Sequence, residues 1–243
     1  MSRNIVIPMA GRGTRTQSYS NVPKPLLQIG GKTLFEISMG SFRIPGNYIF
    51  IVRNYGVEEW DSSIHNLINA FDPNSKIISI DYTTDGPAST CMLAKEFINN
   101  DDELIISNID HYLEWDIDDF IKSTQQEGID ALVTTWDKIA TTESFIELDD
   151  NGFGIRVKEK EIISDKPLNG IHYWRKGKYF VQATKRMIRE DARASNGEFY
   201  ISESFNYTIN YGLKVSTYDM SGKHWPLGTT EDIEKFTKYH GYS

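Results

Sequence analysis

Residues 7–27, IPMAGRGTRTQSYSNVPKPLL, place two glycines one residue apart directly behind the apolar run Ile5-Val6-Ile7. Arg12, Arg15 and Lys24 follow within the same stretch, and Lys24 stands between Pro23 and Pro25. A glycine turn after a strand, with cations beside it, is a cradle for an anion. A dinucleotide fingerprint requires Gly-x-Gly-x-x-Gly, and its third glycine is here Thr16, where close packing of helix on sheet depends on the missing side chain. A P-loop requires Gly-x-x-x-x-Gly-Lys-Thr; Gly31-Lys32-Thr33 supplies the tail, but Leu26 stands where the first glycine should be. Both readings fail at named positions. What remains is a turn whose backbone N–H groups can approach an anion and an arginine whose planar fork can bridge two phosphate oxygens. Flanking prolines restrict the backbone on either side of the lysine.

The charge balance agrees. The chain of 243 residues carries a net charge of −8, which argues against a general nucleic-acid binder. Yet Arg3, Arg12, Arg15, Lys24 and Lys32 all precede the first acidic residue, Glu36, so the cations are concentrated where the glycine turn lies. A single cysteine, Cys91, excludes an internal disulfide framework or a Cys-rich zinc site and suits a reducing compartment. Ile5 to Ala10 is too short for a signal-peptide core and is interrupted by Pro8, and no apolar run has membrane-spanning length. These features predict a soluble, cytoplasmic protein with no membrane partner. Self-association is left open.

Working outward, strand-length apolar runs recur at residues 4–9, 48–52, 76–81, 103–107 and 131–136, with helical patterns at 34–42, 57–70, 88–98 and 117–125 between them. Such alternation predicts a largely parallel sheet with helices on both faces. Beyond Thr142 the pattern changes to a hairpin, 145–148 and 155–159, with Asn151-Gly152 in its turn. A strand at 170–174, helices over 180–189 and 202–211, and a strand at 213–218 follow, and Thr230 ahead of two acids suits a helix start. In open sheets of this kind ligands sit beyond the carboxyl ends of the strands. Residues 10–15, 82–88 and 108–110 and the turn before Gly170 are expected to converge there.

Gly11-x-Gly13-x-Arg15 followed by Pro23-Lys24-Pro25-Leu26 resembles the two-part signature of the sugar-phosphate nucleotidyltransferases, or NDP-sugar pyrophosphorylases. The resemblance implies a three-layer α/β/α fold, Rossmann-like and similar to that of the A-type glycosyltransferases, with a mostly parallel mixed central sheet. It implies one domain over 1–243, with a nucleotide-binding half at 1–115 and an acceptor-binding half at 130–243. In the family a second loop reads the nucleobase, and Thr83-Thr84-Asp85-Gly86-Pro87-Ala88 looks like it. Ser107-Asn108-Ile109-Asp110 resembles the strand end whose aspartate binds Mg²⁺, and Glu159-Lys160 followed by Asn169-Gly170 resembles the acceptor-binding segment.

The resemblance therefore implies transfer of a nucleoside monophosphate from an NTP, with UTP or CTP favoured, to a sugar 1-phosphate or similar small phosphorylated metabolite. Pyrophosphate is released, and the expected setting is capsule or other surface polysaccharide biosynthesis. The implied roles are catalysis for Arg15 and Lys24, nucleotide binding for Ala10, Gly11, Gly13, Thr14, Thr84, Gly86, Pro87 and Asn108, acceptor binding for Glu159, Lys160 and Gly170, and Mg²⁺ ligation for Asp110. One departure stands out. Pro226 in Trp225-Pro226-Leu227-Gly228-Thr229 occupies the place of the family's second metal-binding aspartate, for which Asp219 is a candidate substitute. A glycosyltransferase of the same fold using an NDP-sugar, and a non-catalytic nucleotide-binding protein, are the alternatives. Histidines 65, 111, 172, 224 and 240 show no metal-binding spacing.

Overall fold

The computed structural model describes residues 2–11, 13 and 22–241. Thr14 and Arg15 lie outside the described residues.

The chain opens with β1 (Arg3–Met9), a 3₁₀ turn at Lys24–Leu26 and a small hairpin, β2 (Gln28–Ile29) and β3 (Lys32–Thr33). Next come α1 (Leu34–Ser41), β4 (Asn47–Arg53), α2 (Glu58–Phe71), β5 (Lys76–Ile80), α3 (Pro87–Cys91) and α4 (Lys95–Ile98). They are followed by β6 (Glu103–Ser107), β7 (His111–Leu113), α5 (Ile117–Thr124), β8 (Ala131–Thr135) and the hairpin of β9 (Ser144–Leu148) and β10 (Gly154–Glu159). The remainder is β11 (Leu168–Trp174), α6 (Gly177–Arg189), α7 (Ile201–Asn210), β12 (Val215–Asp219), β13 (His224–Pro226) and α8 (Thr230–His240).

Seven strands form the central sheet in the order β12-β8-β11-β6-β1-β4-β5. Neighbours run parallel except at β11, which is antiparallel to both β6 and β8. Alternation along each strand explains why both faces are covered. In β1, Ile5, Ile7 and Met9 enter one core while Val6 enters the other; in β4, Tyr48, Phe50 and Val52 oppose Ile49 and Ile51. The first core is closed by α1, α2, α5 and α8, through Phe35, Ile64, Phe120 and Phe236 among others. The second is closed by α3, α4, α6 and α7, through Cys91, Ile98, Phe180 and Phe205. The α/β/α layering and mixed, mostly parallel sheet agree with the sequence-based expectation.

Three local expectations are corrected. The helix expected over 88–98 is broken into α3, a 3₁₀ turn at Met92–Ala94, and α4. The Thr90 hydroxyl bonds back to the Gly86 carbonyl at 3.1 Å, a contact that loosens helical geometry. Gly170 lies inside β11 rather than at its start, at φ 92°, where the pairing of β11 with β8 slips register. The last helix is capped by Thr229, not Thr230: Thr229 and Asp232 form a reciprocal capping box.

Candidate active site

Above the carboxyl ends of β1 and β6 lies a cleft of about 660 Å³, a size typical of small-molecule sites. The lower strands deliver its walls. Gly11 and Gly13 follow β1, Pro87 starts α3, Asn108 and Asp110 follow β6, Glu159 ends β10 with Lys160 directly after it, and Gly170 enters from antiparallel β11. Lys24 closes the ring from its 3₁₀ turn, which is held by Leu26 N–H on the Pro23 carbonyl at 2.8 Å. Of the expected residues, Ala10, Thr84 and Gly86 do not line the cleft. Ala10 is buried and its carbonyl accepts from Arg53 Nη1 at 3.3 Å. The Thr84 hydroxyl lies 2.6 Å from that of Thr90.

At the centre, Lys24 Nζ donates to Asp110 Oδ2 at 2.7 Å, joining residues 86 positions apart. Their side chains are 16% and 21% exposed, so the pair is shielded but open toward the cleft. An ammonium carries three donors, so Lys24 can keep Asp110 and still take a phosphate oxygen. Asp110 is anchored from behind, where its carbonyl accepts from Leu227 N–H at 2.7 Å. The same segment brings Pro226 opposite His111 in the β7–β13 ladder. The proline thus stands beside Asp110 with no carboxylate to offer. Asp219, the candidate substitute, ends edge strand β12, where its Oδ1 accepts from the backbone and hydroxyl of Ser221, and it does not line the cleft.

Two glycines are required by close approach. A Cβ on Gly86 would sit 2.6 Å from both the N and O of Phe199, at φ 126°. The reason is a clasp between distant loops, with Phe199 N–H on the Asp85 carbonyl at 2.8 Å and Ala88 N–H on the Phe199 carbonyl at 3.0 Å. Gly86 therefore serves this clasp. A Cβ on Gly170 would fall 2.5 Å from Asn108 Nδ2, so the bulge makes space for the Asn108 side chain.

At the end of β10, Glu159 accepts from the Ser144 and Ser202 hydroxyls, and its backbone N–H donates to Glu203. Burial raises its carboxyl pKa above the ordinary range, against the pull of the two serines. Lys160 follows at φ 58°, an uncommon backbone state for a residue with a Cβ, and its Nζ reaches the Tyr200 hydroxyl at 2.8 Å. Partial burial opposes the Lys160 charge, but Tyr200 and Glu159 outweigh it and its pKa rises.

Three histidines escaped sequence reasoning: His111, His172 and His224 line the cleft, together with Trp136 and Tyr200, two of the aromatic residues expected in the core or the pocket wall. Burial lowers the His111 pKa to about 4, with Asp110 pulling it up and Lys24 down. Burial alone lowers that of His172 to about 3. Both rings are neutral near pH 7. Their spacing along the chain carries no motif; the available signals were the place of His111 directly after Asp110 and of His172 two residues after Gly170. Among the described residues no three carboxylate, thiol or imidazole groups gather into a metal cage. Mg²⁺, however, is usually bound through one or two carboxylates with phosphates and water completing its shell. Asp110 as the single protein ligand fits that pattern.

Comparison with solved structures places this geometry. A nucleoside-diphosphate-sugar pyrophosphorylase from Vibrio cholerae RC9 superposes with a TM-score of 0.81, covering 96% of this chain and 99% of its own at 24% identity. The fold is that of the sugar-phosphate nucleotidyltransferases. A UDP-glucose pyrophosphorylase complexed with UDP-glucose matches over 100% of both chains, at a TM-score of 0.76 and 15% identity. In sequence, the bifunctional protein GlmU of Methanocaldococcus jannaschii is 24% identical over 239 residues, 96% of this chain and 53% of its own length. The chain spans about half the length of the curated relatives it matches. No family model matches it. The resemblance read from the paired N-terminal motifs and these comparisons agree. Among the described residues no helix is long and apolar enough to cross a membrane.

Proposed function

We propose that the protein is a nucleotidyltransferase that moves a nucleoside monophosphate from an NTP to a small phosphorylated acceptor and releases pyrophosphate. The observation that carries this reading is the Lys24–Asp110 pair at 2.7 Å, set between a glycine turn on one side and Glu159-Lys160 on the other. The expected division of labour follows that geography, with the nucleotide held by 1–115 and the acceptor by 130–243.

An acceptor phosphate oxygen attacks the α-phosphorus, and the bond from that phosphorus to the β-bridging oxygen breaks. The leaving pyrophosphate takes the electron pair. A phosphomonoester with a second pKa of roughly 6 is already largely dianionic near neutrality, so no base need be supplied. The chain's task is to bring two anions together and offset charge moving onto pyrophosphate. Lys24 neutralises the region of the α-phosphate, Arg15 takes the outer phosphates, and Lys160 takes the acceptor phosphate. Asp110 would hold Mg²⁺, which when bound supplies further charge neutralisation on the phosphate oxygens. Tyr200 positions Lys160. By family habit the nucleotide is UTP or CTP and the product feeds a surface polysaccharide.

The test is incubation with each NTP and a panel of phosphomonoesters, with Mg²⁺ and with chelator, scored for pyrophosphate. Pyrophosphate formed only when acceptor and Mg²⁺ are both present supports the reading. Release of a nucleoside diphosphate from an NDP-sugar instead would assign the protein to glycosyl transfer.

A further inference from the structure

The loop between α6 and α7 reaches two sides of the cleft at once. Its residue Phe199 holds the loop of residues 82–88, donating N–H to the Asp85 carbonyl at 2.8 Å and accepting from Ala88 N–H at 3.0 Å. The fit leaves no room for a side chain at Gly86. At the next residue, the Tyr200 hydroxyl accepts from Lys160 Nζ at 2.8 Å and from Asn196 Nδ2 at 2.9 Å. Because Phe199 and Tyr200 are neighbours, any shift of this loop moves the Gly86 clasp and the Lys160 contact together.

One side chain straps the loop. The Arg193 guanidinium lies over the Phe199 ring, 4.3 Å from its centroid, and Phe199 is buried. Arg193 Nε donates to Asp191 Oδ1 at 2.6 Å and Nη1 to the Gly197 carbonyl at 2.9 Å. Its Nη2 stands 3.6 Å from Asp85 Oδ2 in the facing loop. A planar fork can cover an aromatic face and hold several acceptors at its edge, which a lysine ammonium cannot do. The Asp85 contact is the longest and most exposed, so the stack and the two short bonds supply most of the hold. A local turn keeps the same shape, with Ala194 N–H on the Glu198 carbonyl at 2.9 Å and Gly197 N–H on the Ala194 carbonyl at 2.8 Å. Pro87, Glu198 and Tyr200 line the cleft, whereas Asp85, Arg193 and Phe199 do not. Any effect of Arg193 on the site must therefore pass through its neighbours.

We propose that Arg193 is a positioning residue. By clamping Phe199 it sets the Gly86-Pro87 loop and the Tyr200–Lys160 contact together, so one side chain outside the cleft aligns the two substrate sites. What the loop and Lys160 hold rests on the transferase reading; the strap itself does not.

The test begins without substrate. Lys160 is acetylated with acetic anhydride in the full chain and followed by peptide mass spectrometry, with exposed Lys235 as the reference amine. Tyr200→Phe should speed Lys160 labelling about 2- to 10-fold, as for one lost hydrogen bond. Arg193→Met should give a rise of similar size. The double variant should label no more than about twofold faster than Tyr200→Phe alone, the non-additivity of residues that act through one contact. A merely structural Arg193 would loosen Lys160 independently of Tyr200, and the two effects would multiply. Arg193→Lys, which lacks the fork, should behave as Arg193→Met and replaces it if melting shows that variant unfolded. In pyrophosphate release over the NTP and phosphomonoester panel, Arg193→Met should raise the KM of both substrates about 3- to 10-fold. Wild-type labelling in the folded Arg193 variants, multiplicative effects, or a KM change confined to one substrate overturns the proposal. Absence of pyrophosphate with every pair sinks the transferase reading instead, and the labelling still decides whether the strap acts through Tyr200.

Discussion

Replacing Lys24 by methionine keeps the side-chain stem and deletes the charge. In the folded protein this removes the 2.7 Å bond to Asp110 from a pair about one-fifth exposed. Salt bridges at exposed positions are worth about 0–1 kcal/mol, and hydrogen bonds to charged groups about 1.5–3 kcal/mol. With discounting for that exposure, the stability loss should be about 1–2 kcal/mol, readable as a lower Tm. Asp110 keeps its backbone anchor from Leu227, so the loop should stay in place. The catalytic loss should be larger. A group that offsets charge only as it develops, like an oxyanion-hole donor, contributes about 2.7–4 kcal/mol, or 10² to 10³ in kcat. The assay is steady-state pyrophosphate release at saturating NTP and acceptor, at a temperature where melting shows the variant folded. Asp110→Asn in the same background separates the roles. If Lys24 only braced Asp110, removing it from the Asp110→Asn protein would cost no further activity. Turnover by Lys24→Met within about twofold of wild type would refute the assignment. An altered KM for NTP with kcat intact would demote Lys24 to ground-state binding.

Four further outcomes follow from the same geometry. Gly86→Ala forces a Cβ to 2.6 Å from backbone atoms of Phe199 at positive φ; it should lower stability by about 2–4 kcal/mol in denaturant titration, through strain and loss of the clasp. Gly170→Ala meets only the movable Asn108 amide, so it should cost about 1–2 kcal/mol of strain, with Asn108→Ala relieving the contact but not the φ penalty. His172 has a folded pKa of about 3 against an ordinary 6.5. The unfolded chain binds the extra proton between those values, so stability is lost as pH falls from about 6.5 toward 3, by up to about 1.4 kcal/mol per unit; His172→Phe should flatten a Tm–pH plot by that amount. Tyr200→Phe removes the hydroxyl 2.8 Å from Lys160 Nζ and should raise acceptor KM severalfold while leaving NTP KM unchanged.

Much of the fold was legible in the chain because burial has a local period. Ile5, Ile7 and Met9 alternate with Val6 in the sequence as they do between the two cores. The glycine turn, Lys24, Asp110 and Glu159-Lys160 could be named because each belongs to a short segment with its own pattern. Tertiary structure alone decided what those segments meet. That Lys24 bonds Asp110 rather than standing free, that Gly86 yields to Phe199, and that Pro226 lies across from His111 all depend on the order of strands in the sheet. That order is set by which apolar faces pack, and no window of sequence contains both partners. His172 escaped notice for a related reason. A register slip at one glycine rotates a strand, and the face a residue finally presents is a property of the pairing, not of its neighbours along the chain.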